Sequence, residues 1–367
     1  MVVTEAAAAL STPAEPHAAA RIDGLVAEIR AAHRWARTAA PPLAAELTAA
    51  LLSHAQERQW TEPATWARQV LELHGPDDPV ALAASAAVAA EASNRGDYEV
   101  ATDHAGRALA SDDVRVVSSA NDTLANVGLY VGDLDAAERH GAALLDLADR
   151  SNDSAARALG AASRVLALVY SGRLDEATAA LSLVDPESFD SPTSAAWAAY
   201  VRGEVLAASG RDDDALVQLD RAIDLGVSVG SHLVVSVAQV SALAVRARTG
   251  DVHDAVAAFG PLLAQYRRTR SHTHGITALR NVIQLLVRTG HDEPAMVLFG
   301  ALSNPTVKST YGSESVLLDE ARETVEHRIG SAAVATAIEH GSRHDVVWAI
   351  DHAIATLGTI DGEATVS

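Results

Sequence analysis

Residues 131–145 read VGDLDAAERHGAALL, and the same pattern recurs along the chain. It stands upstream as RGDYEVATDHAGRAL (95–109) and downstream as SGRLDEATAALSLV (171–184). Looser copies are SGRDDDALVQLDRAI (209–223), TGDVHDAVAAFGPLL (249–263) and TGHDEPAMVLFGAL (289–302). Aligned on Gly96, Gly132, Gly172, Gly210, Gly250 and Gly290, the copies are spaced by 36, 40, 38, 40 and 40 residues. Five residues after each glycine stands an alanine: Ala101, Ala137, Ala177, Ala215, Ala255 and Ala295. Four residues further come Ala105, Gly141, Leu181, Leu219, Phe259 and Phe299. A weaker copy, ERQWTEPATWARQVLEL (57–73), has Gln59 in the glycine position and Ala64 in the alanine position. Such a period marks an array of small units that must stack to bury their apolar faces.

The unit reads as a helix hairpin. An apolar helix such as AARALGAASRVLALVY (155–170) precedes the glycine. The glycine supplies the left-handed conformation that ends that helix. Acidic residues follow, among them Asp97, Glu99, Asp133, Asp135, Asp175, Asp251 and the run Asp212 to Asp214. They suit the start of a second helix, where free N–H groups and the helix dipole favour negative charge. The alanine is expected where the two helices cross, because a larger side chain would push them apart.

Composition agrees with packed helices. Hydrophobic residues make up 49% of the 367 residues and aromatics only 4%. Most of that apolar content is Ala, Leu and Val, and Ala and Leu are strong helix formers. The net charge of −20, from 28 basic and 48 acidic residues, argues against a nucleic-acid partner. The absence of cysteine excludes disulfides, thiolate nucleophiles and cysteine-based zinc sites and fits a reducing cytoplasm. The N-terminus lacks a basic leading region, so no signal peptide is expected, and no apolar run is long enough to span a bilayer. Residues 1–20, rich in Ala, Pro, Ser and Thr, are expected to be a disordered lead-in. The helical array is expected over 21–312, a helical cap over 313–357 and a tail over 358–367.

The pattern GDLDAA with its spaced alanine resembles a tetratricopeptide repeat, and the spacing near 40 residues is similar to the longer MalT-like variety of bacterial regulators. The ends sharpen the likeness. Glu28 to Ala36, EIRAAHRWA, resembles the motif that opens the array following the ATPase module of actinobacterial regulators. The stretch PAMVLFGAL (294–302) and the helices after it resemble the end of the same arrays. From about Ile22 to Leu357 the chain is thus similar to the C-terminal arm of signal-transduction ATPases of the AfsR-like, LuxR-type and cyclase-linked kinds. No phosphate-binding loop, helix-turn-helix or cyclase signature accompanies it. The chain is either a separately encoded arm or part of a longer protein. The resemblance implies an all-α, right-handed α-solenoid of about seven hairpins, cytoplasmic, acting in signal transduction or transcription regulation. Its partner would be a protein or peptide, with an ATPase module in cis or in trans as one such partner, and the array leaves room for self-association.

Candidate chemistry is sparse. His272 to His274 and His340 to His344 lack a third converging ligand, so neither reads as a metal site. Gly341 reads as a helix terminator, with Ser342 and Asp345 as a capping box for the last helix. The basic cluster Arg267, Arg268, Arg270 and Arg280 reads as a helix C-terminus, where cations meet the last carbonyls. Acidic pairs recur in every copy, which suits a helix start and not a catalytic pair that is needed once. No catalytic residue, metal or cofactor is expected.

In tetratricopeptide arrays the first helix of each hairpin lines the concave face. Carrying its exposed positions over gives groove candidates Asp122, Asn126 and Tyr130, then Trp197, Tyr200 and Glu204, then Arg248, then Arg280, Gln284 and Arg288. The expected function is a non-enzymatic regulatory module that recognises a protein or peptide on this face. The alternatives are a small-molecule sensor that holds its ligand inside the superhelix, and an enzyme on a helical scaffold.

Overall fold

The computed structural model describes residues 2–249, 252–303 and 312–364. Among these the chain is all-α, with twenty-one α-helices and no strand. Helices α1 (Val2–Ala8), α2 (Glu15–Gly24), α3 (Val26–Ala39), α4 (Pro41–Ala50), α5 (Leu52–Arg58) and α6 (Glu62–Leu71) lead into the regular part. Pairs then follow: α7 (Pro79–Arg95) with α8 (Tyr98–Ala108), α9 (Val114–Val131) with α10 (Leu134–Ser151), and α11 (Ser154–Tyr170) with the short α12 (Leu174–Ala179). Next come α13 (Pro192–Ala208) with α14 (Asp212–Val229), α15 (His232–Thr249) with α16 (Val252–Thr269), and α17 (His272–Arg288) with α18 (Asp292–Leu302). The chain closes with α19 (Gly312–Ile329), α20 (Ser331–Ser342) and α21 (Val346–Ala364). Among the described residues no helix is long and apolar enough to cross a membrane.

The repeated residues build the hairpins as their chemistry requires. Gly96, Gly132, Gly172, Gly210 and Gly290 have φ between +73° and +84°, the left-handed region that glycine occupies without steric cost. Gly250 lies outside the described residues. Around Gly210 the N–H groups of Gly210 and Arg211 turn back to the carbonyls of Ala207 and Leu206, which satisfies the end of α13. Gln59 adopts the same conformation without being glycine, at φ +52°. Its turn makes the same bonds, Gln59 N–H to the Gln56 carbonyl and Trp60 N–H to that of Ala55. The repeat alanines are buried at the crossings. A β-carbon added to Gly128 on α9 would stand 2.9 Å from the backbone nitrogen of Ala137 on α10. The two backbones therefore meet with only small side chains between them. Entry into first helices is fixed by side-chain caps: Asp78, Asp113, Asp153 and Ser191 accept N–H groups at the starts of α7, α9, α11 and α13.

First helices pack on first helices, α7 on α9, α9 on α11, α11 on α13, α13 on α15 and α15 on α17. The row brings the start of the chain against its later part, so that α2 touches α14, α5 touches α15 and α7 touches α17. The largest core cluster lies at the other end. Phe259, Tyr266, Ile283 and Met296 pack there with Ala349, Ile350, Ala353 and Leu357 of α21.

Four expectations about the ends differ from the structure. Residues 2–24 hold two helices, α1 and α2, and are not a disordered lead-in: Val3, Ala6 and Ile22 form an apolar cluster with Ile29, Leu51 and Trp66. Gly341 does not end a helix. It lies inside α20, where an added β-carbon would stand 2.9 Å from the Ala301 nitrogen of α18, so it is a crossing glycine. Ser342 accordingly does not cap α21; Asp345 does, accepting the Trp348 N–H at 2.8 Å. That last helix continues to Ala364, through most of the expected tail.

Candidate functional site

Four consecutive residues at the end of α5 reach four different places in the array. Gln56 Nε2 donates to Asp122 Oδ2 on α9 at 3.0 Å. Glu57 accepts from Trp197 Nε1 on α13 at 3.1 Å and from the Ser231 hydroxyl ahead of α15. Arg58 donates to the Val229 carbonyl at the end of α14 and pairs with Asp23 of α2 at 2.6 Å. Gln59 Nε2 donates to Ser271 Oγ, ahead of α17, at 3.2 Å. The left-handed turn at Gln59 ends α5 at this crowded point. A second tie runs from α2, where Glu15 accepts the Thr193 N–H at 2.9 Å. A carboxylate at the N-terminus of α13 is favoured by the helix dipole.

Further polar contacts close the same region from the α17 side. Tyr130 Oη lies 3.1 Å from His274 Nε2, and Ser271 Oγ lies 3.2 Å from His274 Nδ1. Burial pushes the His274 imidazole down to about 4, so the ring is neutral at pH 7, with one nitrogen donating and the other accepting. Thr273 donates to the Ser93 carbonyl at 2.7 Å, which leaves its oxygen to accept from Tyr98 Oη at 3.2 Å. These bonds fasten α17 to α7, α8 and α9.

Between these ties lies a cavity of about 150 Å3. Its wall draws on the first helices of six successive pairs, and on α1, α4 and α5. The polar part includes Glu57, Ser118, Asp122, Thr123, Asn126 and Tyr130; the apolar part includes Leu159, Leu166, Trp197 and Leu233. Asp122 is 3% exposed and Thr123 2% exposed. The Thr123 hydroxyl is buried without a hydrogen-bond partner. Burial pushes the Asp122 carboxyl up to about 6. Loss of water also pushes Glu57 up to about 7, against its two hydrogen bonds, and the nearby Glu15 and Asp122 carboxylates add to the rise. Glu57 is only half-buried by area, but it lines this cavity and a smaller neighbouring one.

The groove candidates divide into two sets. Asp122, Asn126, Tyr130 and Trp197 line the cavity together. Tyr200 is buried and meets Trp197 edge-on at 5.7 Å, and half-buried Glu204 follows on the same helix, but neither lines the cavity. The basic positions lie elsewhere. Arg248 is exposed and pairs with Asp212 at 2.8 Å. Arg288 donates to the Ala247 carbonyl near the end of α15, and Arg280 is buried at 8% exposure, close enough to Tyr98 to act on its phenol. Gln284 is half-buried in α17. Among the described residues no group of three or more metal-ligating side chains is placed to hold an ion, and His340 and His344 instead form an aromatic cluster with Trp348 and His352.

Sequence reasoning missed Gln56, Glu57 and Thr123. One signal was present: the weak copy carries Gln59, at the end of the polar run Gln56 to Gln59, where the other six copies carry glycine. No protein-family model matches this chain, and no curated protein matches it.

Proposed function

We propose that this chain is a non-enzymatic, tetratricopeptide-like α-solenoid that senses a small polar molecule held inside its superhelix. The observation that carries this reading is the cavity of about 150 Å3 bordered by Asp122, Thr123, Asn126 and Trp197. That space suits a molecule of roughly benzene's size. An apolar wall with a few placed polar groups is the usual composition of a small-ligand site. Recognition of a protein or peptide on the concave face has less support, because α5 already holds the inner face through Gln56, Glu57 and Gln59. A peptide would have to displace that helix.

The same ties suggest how occupancy would be read out. A ligand that bonds differently to Asp122 and Glu57 in two arrangements of α5 shifts the balance between them. In the resembled regulators an ATPase module precedes this region, so movement of the N-terminal helices would reach it in cis or in trans.

The test is thermal denaturation of the full chain with a panel of small metabolites, repeated on a cavity-filled Ser118→Leu variant. Ser118 lines the cavity and is 8% exposed. A saturable rise in midpoint for wild type that is absent in the filled variant is expected. A panel without effect, or shifts of equal size in both proteins, would reject the cavity as a ligand site.

A further inference from the structure

We propose that the molecule taken by this cavity carries a protonated amine, held by the carboxylates of Glu57 and Asp122; this deepens the cavity reading above and rests on it. The argument starts from the partners of the two acids. Glu57 receives hydrogen bonds from an indole and a hydroxyl, and Asp122 from two carboxamides, Gln56 and Asn126. All four donors are neutral. Neither acid forms an ion pair among the described residues. Two desolvated carboxyls that share a cavity without a cation are costly to ionise together. An ammonium group entering between them supplies the missing charge and donates charge-assisted hydrogen bonds.

The other charged groups on the cavity wall do not supply that charge. Arg115 is exposed and forks onto Asp113 at 2.7 Å. Asp153 is engaged at the N-terminus of α11, where it accepts the Ala155 N–H at 2.9 Å. His274 is neutral, and Glu15 on the far side of Glu57 adds negative charge. The second observation is independent of charge. Thr123, adjacent to Asp122 on α9, lines the same cavity and has a buried hydroxyl with no hydrogen-bond partner. It can accept a third N–H, as a primary ammonium with three donors requires. Tyr130 and Trp197 border the same space with aromatic rings, surfaces that favour cations. The apolar remainder, with Leu159, Leu166 and Leu233, suits a short hydrocarbon chain behind the amine.

The experiment uses three probes of one size: n-butylamine, n-butanol and butyrate. Each is titrated calorimetrically into the full chain, into Glu57→Gln, Asp122→Asn and Thr123→Val, and into the cavity-filled Ser118→Leu. Butylamine should bind best, butanol at least about tenfold more weakly, and butyrate not measurably. Each carboxamide variant should weaken the amine by about tenfold while leaving butanol unchanged. Thr123→Val removes a hydroxyl and no charge, so it should weaken the amine less. Amine affinity should also fall as pH is lowered through about 7 and then about 6, because protonation neutralises first Glu57 and then Asp122. If butanol binds as tightly as butylamine and the carboxamide variants change nothing, the amine assignment is overturned and the cavity reading stands. If no probe binds, or binding is unchanged in Ser118→Leu, both are overturned.

Discussion

Glu57 and Asp122 set the pH behaviour of the free protein as well as its proposed chemistry. Their carboxyls ionise near 7 and 6 in the folded chain, above the ordinary values of 4.5 and 3.8. Between the ordinary and the folded values the native state therefore binds more protons than the unfolded chain, and stability falls as pH rises. The contribution is fully present below about pH 4, where both states are protonated, and is lost as pH passes through 6 and 7. Urea midpoints of wild type should thus decline across this window relative to the double variant Glu57→Gln, Asp122→Asn. Parallel pH profiles for the two proteins would show that these carboxyls are solvated in the native state.

At the scale of the helix and its turn, the repeat makes two separable demands. The first is a left-handed residue between paired helices. Gly210 has φ +73° and nothing within 4 Å of an added β-carbon, so Gly210→Ala isolates the backbone cost at about 1–2 kcal/mol. Gly106 is the control. It is exposed within α8, with no neighbour within 4 Å and no positive φ, and Gly106→Ala should stabilise by about 0.5–1 kcal/mol. Chemical denaturation of the two variants should move in opposite directions. The second demand is a small residue where helices cross. Ala177 and Ala255 are 0% and 1% exposed, so Ala177→Leu and Ala255→Leu should each cost roughly 1–3 kcal/mol through overpacking. Unchanged thermal midpoints in the leucine variants would remove the crossing argument.

For the whole molecule, the two ends of the array are covered differently. At the C-terminal end, Ala349, Ile350, Ala353 and Leu357 of α21 complete the cluster that holds Phe259, Tyr266 and Met296. Truncation before Ser313 removes these residues and uncovers that apolar surface. The shortened chain should unfold at lower temperature and associate, as light scattering would report, because an array without its cap leaves an unstacked face. A monomeric truncation of equal stability would contradict this. At the N-terminal end the covering is polar as well as apolar, and α2, α5 and α7 reach across to α14, α15 and α17.

The hairpins were legible in the sequence because their determinants are local. A glycine at the turn, an alanine five residues later and an acid at the next helix start act within one or two helical turns. The all-helical class follows from those features with the Ala-rich composition, and five of the six repeat glycines take the expected left-handed turn within the described residues. The disposition of the inner face was not legible, because it depends on pairs far apart in the chain. Gln56 and Asp122 are 66 residues apart, and Gln59 and Ser271 are 212. Such pairs form only when helices distant in the chain pack together, and no single repeat encodes that packing. The periodicity thus placed Asp122, Asn126, Tyr130 and Trp197 on first helices. Only the tertiary structure decided that α5 would meet them and enclose a cavity with two carboxyls in its wall.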